Sequence, residues 1–101
     1  QYTLGTIANT NTIIGVLRLL EIGGSGNNTL DVKIQSDTSG FSSATDQLTF
    51  TQLNQGSGAT FETKTATGPA GSDNIWRVVV TIGGAGSRSF KLIVGFGYFV
   101  T

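Results

Sequence analysis

The sequence predicts an all-β chain folded as a single antiparallel β-sandwich, jelly-roll or Ig-like. Three observations predict it. Apolar and polar residues alternate with period two in several windows, which places successive side chains on opposite faces of a strand. No window carries an i, i+3, i+4, i+7 apolar stripe over three turns, so helices have no amphipathic face to build on. Glycine-rich breaks recur at short intervals, as they do in sandwiches and barrels of about six to eight strands.

Taken in order, the elements follow from these patterns. Residues 1–11 are polar, with Tyr2, Leu4 and Ile7 as apolar points, and form an N-terminal arm or an edge strand over Tyr2 to Thr6. The sandwich domain occupies 12–101. Ile13 to Ile22 is nearly continuous apolar, interrupted by Gly15, Arg18 and Glu21. It reads as a central strand; a short helix over Val16 to Leu20 is the rival and fits the rest of the chain less well. Leu30, Val32 and Ile34 alternate with Asp31, Lys33 and Gln35. Ser36 to Gln47 is polar and reads as a long loop with Asp37, Gly40 and Asp46 as turn residues. Leu48 to Leu53 and Ala59 to Thr65 are shorter strands. Ala66 to Asp73, with the single proline Pro69, is a crossing connection. Trp76, Val78, Val80 and Ile82 alternate with Arg77, Val79 and Thr81. Phe90, Leu92, Val94, Phe96, Tyr98 and Val100 alternate with Lys91, Ile93, Gly95, Gly97 and Phe99. The segments Gly23–Asn28, Gln55–Gly58 and Gly83–Ser87 read as hairpin loops, because glycine supplies the positive φ of tight turns.

The expected core is Leu17, Leu19, Leu30, Val32, Ile34, Leu48, Phe50, Trp76, Val78, Val80, Phe90, Leu92, Val94 and Phe96. Trp76, inside a regular alternation, is its anchor. Gly95 and Gly97 leave one face of the last strand bare. A close neighbouring backbone or a bulge is the usual reason, and a subunit contact is the alternative.

Residue chemistry narrows function by exclusion. The chain has no histidine and no cysteine, the usual general base, metal ligand and activated nucleophile. Its charged share is 12%, about half of the usual roughly 25%, so the surface must be built from Thr, Ser, Asn, Gln and Gly. Six cations balance six anions, and no basic stripe offers a footprint for nucleic acid. No apolar run approaches the roughly 20 residues of a membrane-spanning helix, and no signal-peptide pattern opens the stretch. Asp37 with Asp46, and Glu62 with Asp73, are the carboxylate pairs. Nothing in the spacing sets either pair in a cleft, and solvated turn residues are the simpler account. Asp37-Thr38-Ser39-Gly40 lacks the oxygen count and the pattern of a calcium loop, so Asp37 reads as a turn former. The glycine runs lack the lysine and helix of phosphate-binding loops. Asn27-Asn28-Thr29 fits the short glycosylation pattern, which matters only in a secreted eukaryotic chain. Arg18 and Glu21, with Asp31 and Lys33, are expected to form cross-strand charge pairs. Arg77, Arg88 and Lys91 fall late in the chain and are candidate contacts for an acidic partner patch. Phe41, Phe61, Tyr98 and Phe99 are the aromatics free enough to form a sugar-binding face, and they are scattered.

Leu30-Asp31-Val32-Lys33-Ile34-Gln35-Ser36-Asp37 resembles a motif of small structural proteins in tailed-bacteriophage virions. So do Trp76-Arg77-Val78-Val79-Val80-Thr81-Ile82 and, after a glycine loop, Ser89-Phe90-Lys91-Leu92-Ile93-Val94-Gly95-Phe96. In that group an apolar strand is followed by a "tLdVkIQ-S" strand, an "FT" strand, a "yRvvvt" strand and a "sftlavgf" strand, and this chain keeps the order from Ile13 to Phe96. Trp76 stands where the group often has Tyr. The resemblance implies a β-sandwich without catalytic residues, cofactor or metal, located in the virion on the capsid surface after assembly in the host cytoplasm. It implies a capsid decoration or cement protein, with a tail, baseplate or fibre component as the second reading. A carbohydrate-binding module is a third reading, independent of the resemblance. The implied partners are the major capsid protein, or other virion proteins, and copies of the chain itself in a homo-oligomer, a trimer first; neither nucleic acid nor membrane is implied. The candidate contacts are then Tyr2, Leu4 and Ile7 of the arm, with Arg77, Arg88 and Lys91.

Overall fold

The computed structural model describes residues 2–3, 12–24, 28–38, 40–54, 56, 60–67, 73, 75–84 and 88–99. Eight strands run β1 Tyr2–Thr3, β2 Thr12–Gly24, β3 Thr29–Asp37, β4 Thr45–Thr49, β5 Leu53–Asn54, β6 Thr60–Thr67, β7 Ile75–Gly83 and β8 Arg88–Phe99. They build two antiparallel sheets packed face to face. One has the order β1-β7-β3-β4, with β5 also on β3; the other has the order β6-β2-β8. Among the described residues no ladder joins the sheets, so the fold is a sandwich with open edges.

The central strands behave as their patterns require. In β2 the side chains of Ile13, Leu17 and Leu19 are buried, while Arg18 and Leu20 are exposed. In β3 Leu30, Val32 and Ile34 are buried in the same way. Leu48, Phe50 and Trp76 complete this core as expected, and Ile75 and Ile13 join the buried set unannounced. Trp76 packs its ring against Phe96 at 5.8 Å between centroids. Its Nε1 donor has no acceptor among the described residues.

Several expectations are corrected. Val80, placed in the core by its alternation, is 44% exposed, and Ile82 is 39% exposed. Both share the inner face with Val32 and Leu30, their partners on β3. They lie at the rim: among the described residues β1 pairs with β7 only at Trp76 and Ile75, and β7 has no strand on that side beyond them. Val78, Phe90, Leu92, Val94 and Phe96 sit along the same side and are only partly buried. The expected loop 36–47 is shorter: Ser36 and Asp37 belong to β3, and β4 begins at Thr45 rather than Leu48. The polar first half of β4 carries no apolar alternation, so the pattern misses it. β4 ends at Thr49, and β5 resumes at Leu53. Between them the Phe50 N–H donates to Val32 O at 3.0 Å, so the edge still follows β3.

The glycine-rich segments are not hairpins. Those joining β2 to β3, β5 to β6 and β7 to β8 each carry the chain from one sheet to the other. Glycine marks a reversal of direction, but nothing local says whether the next strand pairs with its predecessor or packs across from it. The expected crossing after Ala66 is a crossing, from β6 to β7. The hairpin that does pair neighbours is β3–β4. Its loop holds Gly40 at φ 67° and Phe41 at φ 55°. Phe41 is an unusual residue for that region, and the Arg77 guanidinium lies 4.4 Å from its ring centroid.

Gly15 faces the core. A Cβ there would meet Leu48 Cδ1 at 2.7 Å, Ile34 Cδ1 at 3.1 Å and Phe50 Cζ at 3.1 Å. The opposite sheet therefore reaches the β2 backbone at this point. Replacing Gly15→Val should overpack the centre and lower stability by about 1–3 kcal/mol, read as a fall in Tm of several degrees, with Gly15→Ala milder. Urea unfolding that leaves Gly15→Val as stable as the parent would contradict this packing.

Candidate interaction surface

The two outer faces differ. On the five-stranded sheet, Asp31, Lys33, Gln35 and Asp37 of β3 alternate away from the core, beside Arg77 and Thr81 of β7 and Asp46 and Thr49 of β4. These groups hold one another. Arg77 Nε donates to Gln35 Oε1 at 2.8 Å, and Gln35 Nε2 donates to Asp46 Oδ1 at 2.6 Å. Lys33 Nζ donates to Asp46 Oδ2 at 3.2 Å. The Gln35 donor, helped by Lys33, holds the Asp46 carboxyl below its ordinary value against a smaller desolvation effect.

The remaining carboxylates are engaged as well. Asp31 accepts from Gln52 Nε2 at 3.0 and 3.1 Å. Asp37 accepts from the backbone N–H of Thr38 at 2.7 Å and of Ser43 at 3.2 Å, which closes the β3–β4 loop. Buried Asp73 accepts from Ser36 Oγ at 2.6 Å, and Ser36 Oγ accepts from Gln47 Nε2 at 2.9 Å. Glu62 accepts from the Thr51 N–H at 2.8 Å. Glu21 pairs with Lys91 at 3.3 Å. All six carboxylates of the chain thus have hydrogen-bond or ion-pair partners within it. Asp37 and Asp46 have different partners, as do Glu62 and Asp73, and Asp37 and Asp73 are buried where solvated turn residues were expected, because backbone and hydroxyl donors satisfy them. Glu21 and Lys33 do pair across strands, though with Lys91 and Asp46 instead of one another.

The outer face of β6-β2-β8 is different in kind. The register sets Phe61, Arg18 and Ile93 in one row across three strands. The next rows hold Thr63, Val16 and Gly95, then Thr65, Ile14 and Gly97. Leu20 is the extra residue where the β2–β8 register shifts between Leu19 and Glu21, and it too points outward. Phe61 is 63% exposed, Ile93 60% and Leu20 44%. Arg18 sits among them, and no carboxylate pairs with it among the described residues. Arg18, Leu19, Leu20, Thr60 and Phe61 line a depression of about 330 Å³. Gly95 and Gly97 are not crowded: a Cβ at 95 would touch only Val16 at 3.9 Å, and one at 97 would meet nothing within 4 Å. Neither a close backbone nor a bulge at these positions explains them. A face with exposed apolar side chains around a cation on its central strand offers a docking surface.

The candidate contacts from the sequence lie elsewhere and apart. Tyr2 pairs through its backbone with Trp76. Leu4 and Ile7 lie outside the described residues, as does Asn27. Arg77 belongs to the five-stranded sheet and is occupied by Gln35 and Phe41. Lys91 belongs to the other sheet and is paired to Glu21. Arg88 opens β8 opposite Gly24. The patch that does form was visible only in pieces: Arg18 as a charge inside an apolar strand, Phe61 as an unassigned aromatic. No protein family, curated protein or solved structure matches this chain.

Asp46 should make stability acid-sensitive. Its folded-state pKa is lowered, so its contribution is present above the ordinary carboxylate value of about 4 and is lost as pH falls through the folded value. Asp46→Asn should be less stable than the parent near pH 7, by a small amount because the pair is solvent-screened, and the gap should close in urea titrations as the pH is lowered below the ordinary carboxylate range.

Proposed function

We propose that this chain is a non-enzymatic structural protein of a tailed-phage virion, a capsid decoration or cement protein bound to the major capsid protein and to copies of itself. The outer face of β6-β2-β8 is the surface that attaches it. The observation that carries the reading is the exposed row Phe61–Arg18–Ile93, with Leu20 beside it, on a face that has no partner within the described residues. Apolar area stabilises such a contact, and a carboxylate on the shell would meet Arg18. The resemblance of the β3, β7 and β8 segments to motifs of virion proteins and the engagement of all six carboxylates agree with adhesion as the output. A cement spreads modest contacts over a symmetric shell, where repetition multiplies small energies.

Phage heads lacking this protein are the direct test. The purified chain should co-sediment with them, and Arg18→Glu or Phe61→Ser should weaken binding at least about tenfold while leaving the folded spectrum unchanged. Co-sedimentation with isolated tails instead would assign the second reading, a tail, baseplate or fibre part. Association with neither heads nor tails would refute the virion reading.

A further inference from the structure

We propose that β8 is a self-association edge, along which a second copy of this chain adds its own β8 antiparallel about a two-fold axis at Gly95. The inference deepens the self-assembly part of the reading above and rests on that part alone.

The sheet edges differ in how they are protected. Within the described residues β1 is two residues long, β4 carries Asp46, and β6 carries Glu62 and Lys64 on its core-facing side. Short strands and inward-pointing charges are the devices that keep edges from pairing. β8 has none of them over most of its length. It is twelve residues long, pairs with β2 alone among the described residues, and is uncharged from Leu92 to Phe99. In an antiparallel pair every second residue turns its N–H and C=O away from the neighbour, so an edge of this length asks for another strand.

The shape of β8 selects a second β8. With the axis at Gly95, Ile93 of one copy lies opposite Gly97 of the other on the outer face. Ile93 is the prominent exposed side chain there, and Gly97 is where a Cβ would meet open space. On the inner face Val94 meets Phe96, and Leu92 meets Tyr98. These are the side chains that the sandwich leaves part-covered or exposed, and apolar cross-strand pairs of this kind stabilise a sheet. The open rim at Val80 and Ile82 lies on the same side of the molecule. Charge does not oppose the contact, since the chain is neutral and Lys91 is paired to Glu21. Leu92 to Phe99 spans about 26 Å at roughly 3.3 Å per residue. Over a molecule 16 Å thick this gives an area of order 400 Å² per copy, about 800 Å² in total, the size of a transient contact and below the roughly 1,000 Å² of a stable interface. The dimer is therefore weak in dilute solution and strengthened when copies are held side by side on an assembly.

Sedimentation of the purified chain over a range of concentrations, without any shell, should show a monomer–dimer equilibrium. Gly97→Val, which fills the open strip without touching the core, should weaken it at least about tenfold with an unchanged circular dichroism spectrum. The chain has no cysteine, which allows a second readout. Gly95→Cys should cross-link to a covalent dimer on oxidation. Gly97→Cys alone should not, but should cross-link when mixed with Ile93→Cys. A monomer at every concentration, a trimer, or equal cross-linking at 95 and 97 would overturn the proposal. None of these outcomes bears on shell attachment, which is read through Arg18 and Phe61.

Discussion

The approach of two sheets across Gly15 is the constraint on which the rest depends. At that position β2 has no side chain, and Leu48, Ile34 and Phe50 of the opposite sheet close onto its backbone. The side chains of β3 and β4 reach the β2 backbone at this point. Ile13, Leu17 and Leu19 on one side and Leu30, Val32 and Ile34 on the other are buried because the layers meet there. Away from this centre the packing loosens. Trp76 and Phe96 hold one side together, and beyond them Val80 and Ile82 reach the rim. In a domain this small the buried share of the surface is modest, so a dense centre has to carry most of the stability.

Polar groups are spent on holding strands in place. Gln35 links Arg77 to Asp46, and Lys33 braces the same carboxylate from the next position outward on β3. Ser36 and Asp73 extend the inner face past Ile34 with a hydrogen bond in place of hydrocarbon. Asp37 closes the β3–β4 loop, and Glu62 ties β6 to the backbone at Thr51. Each of the six carboxylates is held by a partner within the chain. What the chain leaves over is surface: one polar, self-satisfied outer face and one apolar outer face with a central arginine. That asymmetry is the physical basis for reading the molecule as an adhesive block.

Much of the architecture was legible in the residues. Period-two alternation located β3, β7 and β8 to within a few positions, because burial on one face imposes that period directly, and β2 was found as a nearly continuous apolar run. It failed where polarity hides a strand, as in the first half of β4, and where a strand leaves the covered part of the sheet, as at Val80. The candidate surface was legible only as fragments. Arg18, Phe61 and Ile93 are far apart in sequence, and the β6-β2-β8 register alone makes them one row.

By itself the sequence determined an all-β chain with a Leu, Ile, Val and Trp core, a neutral threonine-rich surface and no histidine or cysteine chemistry. These follow from composition and local period, which need no knowledge of neighbours. Only the tertiary structure decided that the glycine-rich segments cross between layers, that Gly15 is required by the opposite sheet, and that Gly95 and Gly97 are bare without being crowded. Those properties depend on which strands lie beside or across from one another, and such pairing is set by contacts between residues distant along the chain.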